Sequence, residues 1–140
     1  MTKNTLVADI EAFVTKSNDR LLAVMRSSLR DMVQDMQLPV REGGRMRVDT
    51  GFLWNSGGAS LNGFPSGNGT RPATAVKGQY SWNVSSLDAT LLGMKLGDTF
   101  FWGWVANYAP IREVYDGFMD APLQNWQSYV TKNSERYRGI

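Results

Sequence analysis

The chain contains no cysteine and no histidine, so any chemistry it performs must come from carboxylates, hydroxyls, amines or guanidinium groups. Disulfides, thiolate nucleophiles, Cys/His zinc sites and imidazole acid-base catalysis are excluded together. Three local patterns remain to be weighed. Asp116 and Asp120 stand four residues apart, but Gly117 and an expected turn lie between them, so the spacing does not build a shared metal or acid-base site. The stretch from Gly63 to Arg71 is rich in glycine, yet no Lys-Ser/Thr pair follows it and no helix is expected to start there, so its role is flexibility and not phosphate cradling. Between Val40 and Arg47, Arg41, Arg45 and Arg47 fall within seven positions around Gly43-Gly44. Guanidinium forks suit phosphate oxygens, which makes the three candidate DNA contacts. A solvated surface loop or subunit salt bridges explain the same residues.

Asp49-Thr50-Gly51 is similar to the Asp-Thr-Gly of aspartic proteases, whose paired carboxylates share a proton. A homodimeric protease needs one copy per chain, as here, but this copy precedes a short expected helix instead of sitting on a strand loop. No cofactor and no metal is expected.

The elements that must position these residues follow from periodicity. At 140 residues, 42% hydrophobic and 20% charged, the chain has the size and composition of one globular domain, and five Trp, five Tyr and six Phe supply its core. A formal net charge of +2 is too small to argue for nucleic-acid binding by itself. The N-terminus lacks the apolar run of a signal peptide, and no stretch approaches the roughly 18 apolar residues of a membrane span, so residence in the cytoplasm is expected, without membrane contact. From Leu6 to Met36, Ile10, Phe13, Val14, Leu21, Met25, Leu29, Met32 and Met36 recur near a 3.6-residue period, which predicts a long amphipathic helix with a bend or break at Ser17-Asn18 and an end before Pro39. The three methionines are expected to fill core, the alternative being an adaptable interaction surface.

Asp49 and Thr50 are expected to cap a short helix from Gly51 to Ser56, anchored by Phe52 and Leu53 and stopped at Gly57-Gly58. Residues 57–78 read as a flexible loop, arm or loose hairpin. Gln79 to Val84 alternates like a half-buried strand, Asp88 to Leu96 suits a short helix or a turn, and Thr99 to Ala106 is the most strand-like stretch. Its Phe100, Trp102 and Trp104 share one face, and Phe101 and Val105 the other. Phe64, Phe101, Trp102 and Trp104 are therefore candidate interface residues, the alternative being a strand covered on both sides. Ile111 to Gly117 reads as a short strand closing on a turn, and Asp120 with Pro122 opens a last helix.

In this order the chain resembles the neck and tail-completion family of long-tailed bacteriophages. The resemblance rests on Val48-Asp49-Thr50-Gly51-Phe52-Leu53-Trp54-Asn55-Ser56, set against a "VDTG.L..S" segment, and on Tyr108-Ala109 with Val114-Tyr115-Asp116-Gly117, set against "YA..vE.G". The chain departs from the pattern at Trp54, where a basic residue is common, and at Tyr115-Asp116. The resemblance implies an α+β fold, with a long N-terminal helix and a C-terminal helix on a small, mostly antiparallel sheet. Asp49, Thr50, Gly51, Leu53, Tyr108 and Gly117 would be fold-specifying, with no catalytic role. It further implies a homo-oligomeric ring, six- or twelvefold, at the head-tail interface of the virion. Other neck and tail proteins would be its partners, and the genome would pass through it. A stopper or tail-terminator ring is the neighbouring reading. A nucleic-acid-binding module using the arginine loop, or a protease centred on Asp49, are the readings from other classes.

Overall fold

An amphipathic repeat free of glycine and proline folds as one rod. In the computed structural model, which describes residues 3–138, helix α1 spans Lys3–Met36. No break falls at Ser17-Asn18, because Ser and Asn lower helix propensity by only a fraction of a kcal/mol each and nothing there removes a hydrogen bond. Only the C-terminal half of α1 is packed. Leu29, Met32, Val33 and Met36 form a core with Leu87, Leu91 and Met94, so two of the three methionines are fully core and Met25 borders them.

The remaining helices are α2 (Phe52–Asn55), α3 (Ser85–Gly93), α4 (Ala109–Asp116), α5 (Asp120–Gln124) and α6 (Trp126–Arg136). The strands β1 (Gly57–Ser60) and β2 (Phe101–Trp104) form a two-stranded antiparallel sheet. The fold is thus α+β, with long terminal helices and a small antiparallel sheet. Helix α6 lies along α1 through polar side chains. Asn133, fully buried, donates to Asp31 at 3.0 Å and to the Tyr129 carbonyl at 2.9 Å, and the Tyr129 hydroxyl donates to Asp35 at 2.5 Å. Burial and this hydrogen bond to Asp35 both push the Tyr129 phenol above its ordinary range. These bonds set the rotation of α6 about its axis, which an apolar contact would leave loose.

Several expectations are corrected. Residues 57–60, read as the start of the arm, are β1, with Gly57 opposite Trp104, Gly58 opposite Gly103 and Ala59 opposite Trp102. The glycine is there for space: a Cβ on Gly57 would lie 2.7 Å from the Trp102 ring and 2.6 Å from Gln37 Nε2. The rest of the supposed arm folds back over the domain. Phe64 meets Phe101 edge-on at 5.1 Å, the Gly69 carbonyl accepts from Asn107, and Gly78 N–H donates to Asp49. Gln79 to Val84 keeps its alternating burial but pairs with no strand, because its one backbone bond to another segment runs from Tyr80 N–H to Thr50. Ile111 to Gly117 is helix α4 and not a strand: Pro110 starts it, and Gly117 ends it at φ +66°. The last helix is two, broken at Asn125.

Two core clusters meet at Gln37, which is 1% exposed. Its Nε2 donates to the Trp54 carbonyl at 2.9 Å, its Oε1 accepts from the Trp104 indole at 2.8 Å, and its own carbonyl accepts from the Trp54 indole at 2.9 Å. Gln37→Met keeps the volume and orphans the Trp54 carbonyl and the Trp104 indole N–H. At about 1–3 kcal/mol per buried unpaired group the variant is expected to lose roughly 2–5 kcal/mol in urea unfolding followed by tryptophan fluorescence. A loss below about 1 kcal/mol would mean that the bridge is dispensable.

Candidate functional site

The two signature segments, 50 residues apart in sequence, converge on one cleft of about 250 Å³ lined by Asp49, Thr50, Gly51, Leu53 and Tyr108 together with Arg47, Arg71 and Arg112. Gly51 forms its floor at φ +86°, a conformation that costs a side-chain-bearing residue strain, and an added Cβ would stand 1.9 Å from the Tyr80 carbonyl oxygen. The expected Asp49/Thr50 cap is corrected in detail. Gly51 itself occupies the cap position of α2, the Thr50 hydroxyl accepts from Phe52 N–H at 3.2 Å, and Asp49 contributes its backbone carbonyl while its side chain stays exposed. Leu53 is buried in the second core with Met46, Ala106, Ala109 and Phe118.

Tyr108 is half-buried and stacks on Phe52 with ring centroids 6.4 Å apart, and the Arg71 guanidinium lies 5.6 Å from the centre of its ring. Burial raises the Tyr108 phenol above its ordinary range, an effect that the charge of Arg71 partly offsets. At the rim, the Asp116 side chain is 6% exposed and binds two guanidinium groups: Arg112 at 2.8 Å and Arg47 at 3.1 Å. Beyond Gly117, the Glu113 carboxylate accepts from Met119 N–H and Asp120 N–H at 2.8 and 2.9 Å, satisfying donors at the start of α5. Val114 of the second signature segment is 82% exposed, because α4 turns Ala109 inward and Val114 away.

Of the three loop arginines, Arg47 is held by Asp116, Arg41 lies 4.0 Å from Glu42 and 5.9 Å from the centre of the Trp54 ring, and Arg45 makes no ion pair among the described residues. The loop itself is built and not slack: Met46, fully buried, pins it, and a parallel bridge joins Pro39 to Met46. The interface candidates divide. Trp102 and Trp104 are half-buried against the chain's own core, edge-to-face at 5.7 Å, so they do not stand free for a partner. Phe101 is covered by Phe64, which is 73% exposed and remains available.

Two larger apolar surfaces have no partner among the described residues. Every residue from Leu6 to Asp19 of α1 is exposed, including Val7, Ile10, Phe13 and Val14. Ile111, Val114 and Tyr115 project from one side of α4 and are 63%, 82% and 77% exposed. The sequence contained both signals, but an amphipathic stripe does not say which of its turns find a core, and α4 was legible only once Gly117 was seen as a helix terminator. Arg112 and Asp116 then fall at the i, i+4 spacing of a helical ion pair. Among the described residues no group of three or more acidic side chains is placed to hold a metal ion, and no helix is long and apolar enough to cross a membrane.

Asp116→Ala releases two arginines at once, and hydrogen bonds to charged groups are each worth about 1.5–3 kcal/mol when shielded and less when, as for Arg47, one partner is exposed. A loss of about 1–3 kcal/mol in thermal unfolding is expected, with Asp116→Asn recovering only part of it. An unchanged melting temperature would show that the rim pairs are incidental.

Comparison with protein-family models, with curated proteins and with solved structures gives no match to this chain.

Proposed function

We propose that the chain is a structural subunit of a phage head-to-tail connector, forming a homo-oligomeric ring of the neck or tail-completion kind through which the genome passes. The observation that carries the reading is the unfinished surface. Residues 6–19 of a 34-residue helix have an apolar stripe and nothing among the described residues to bury it against, as does the outer face of α4. Monomeric proteins rarely leave contiguous apolar surfaces of this kind exposed, and subunits of assemblies do. The "VDTG.L..S" and "YA..vE.G" segments support the same reading. Thr50, Gly51 and Leu53 of the first segment and Tyr108 of the second line one cleft, and packing against the Tyr80 carbonyl leaves room only for glycine at position 51.

On this reading the subunit acts by geometry. It would assemble in the host cytoplasm, meet other neck and tail proteins, and reside at the head-tail interface of the virion. The arginine loop is a weak candidate for DNA contact, since Arg47 is already paired with Asp116, and a strongly basic lining would hinder sliding of the genome.

Electron microscopy of the purified chain and of its parent particle tests the proposal. Rings of six- or twelvefold symmetry, matched to a layer between head and tail, are expected. A protein that is monomeric alone and absent from virions would contradict it.

A further inference from the structure

Along α1, residue 13 and residue 36 are separated by about 35 Å at 1.5 Å per residue. The exposed arm, Leu6 to Asp19, lies at one end of this rod. The face of α4 lies near the other, because the chain leaves α1 through the loop 40–47, whose Arg47 binds Asp116 of α4 and whose Arg45 lies beside Gly117. A continuous helix of this length keeps its own arm away from its own α4.

The two surfaces are opposite in charge. The arm carries Asp9, Glu11 and Asp19 against Lys16, three acids and one base, for a net −2. The face of α4 and the loop beside it carry Arg41, Arg45, Arg47 and Arg112 against Glu42, Glu113 and Asp116, four bases and three acids, for a net +1. Pairing two arms would set −2 against −2, whereas arm against α4 sets apolar on apolar with opposite charges flanking the contact. The other exposed apolar residues, such as Phe64, Val76 and Leu92, do not share one helix face beside a basic loop.

We infer that the exposed N-terminal half of α1 in one copy docks on the Ile111/Val114/Tyr115 face of α4 in the next copy, a head-to-tail contact between unlike surfaces. The inference rests on the ring reading and specifies its contact. Heterologous contacts propagate, into rings where the rotation closes and into filaments where it does not.

Light scattering on the full-length chain and two variants tests the docking. Phe13 is 71% and Val114 82% exposed, so Phe13→Glu and Val114→Glu are expected to fold, which circular dichroism checks. Wild type is expected to associate with rising concentration, and each variant to weaken this by at least about 100-fold. Phe13→Glu keeps an intact α4 face and Val114→Glu an intact arm, so mixing the two restores one contact and gives a 1:1 dimer that grows no further. Assembly of Val114→Glu like wild type, with Phe13→Glu alone monomeric, would mean arm-to-arm pairing and would overturn the inference. So would a wild-type chain that stays monomeric at every concentration, or a mixture that gives no dimer. The two proposals fail separately. Rings insensitive to Val114→Glu would sink the docking and leave the connector, while capped dimers from a wild type that forms only open filaments would keep the docking and sink the ring.

Discussion

One side-chain amide holds the domain together. Gln37 ends α1 between two core clusters, and its three hydrogen bonds reach Trp54 of the signature segment and Trp104 of the aromatic strand. Three elements distant in sequence are thereby fixed at one point. Because the amide is 1% exposed, each bond replaces one that water cannot supply, so the arrangement is specific as well as stable. Neighbouring choices follow from it. Gly57 has no side chain because the Trp102 ring and Gln37 fill the space, and Trp104 borders both cores, packing edge-on against Phe118 at 4.8 Å. The tryptophans, which the sequence offers as partners for another molecule, are used internally.

With the aromatic strand committed to the core, the two larger exposed apolar surfaces, on α1 and α4, are helical. Fully burying a large apolar side chain contributes about 1.5–3 kcal/mol, and the arm residues are about half exposed, so one arm-to-face contact gives gross stabilisation on the order of 5 kcal/mol. Association costs about 4–15 kcal/mol in lost freedom, which leaves a single contact weak. A closed ring changes the balance, because its last contact forms intramolecularly at high effective concentration. On this account weak pairs and stable rings belong together, and a subunit can stay soluble until it meets its assembly site.

The sequence was legible where a periodic pattern agreed with the packing. The period of α1, its end before Pro39, the short helix after Asp49-Thr50-Gly51 and the strand character of Phe101–Trp104 all emerge from residue type and spacing. It was illegible where a residue's reason lay far off in sequence. Gly57-Gly58 reads as a breaker, yet Gly57 is a space-maker for a side chain 45 residues away. Gln79–Val84 has the alternation of a strand but joins neither edge of the two-stranded sheet, its backbone meeting Thr50 instead. Ile111–Gly117 has β-branched residues, and Pro110 before it with Gly117 after it outweighs them. Gln37 announces nothing, since a glutamine at a helix end is ordinary until two indoles converge on it.

The proposed head-to-tail assembly is tested most directly by covalent capture, which the lack of native cysteine makes clean. A Phe13→Cys, Val114→Cys double variant, treated with a short bifunctional maleimide, should give a ladder of covalent oligomers that ends at one ring size. Each single variant should give no ladder. A Phe13→Cys chain that dimerises alone, or a double variant that remains a single uncrosslinked band, would contradict the account.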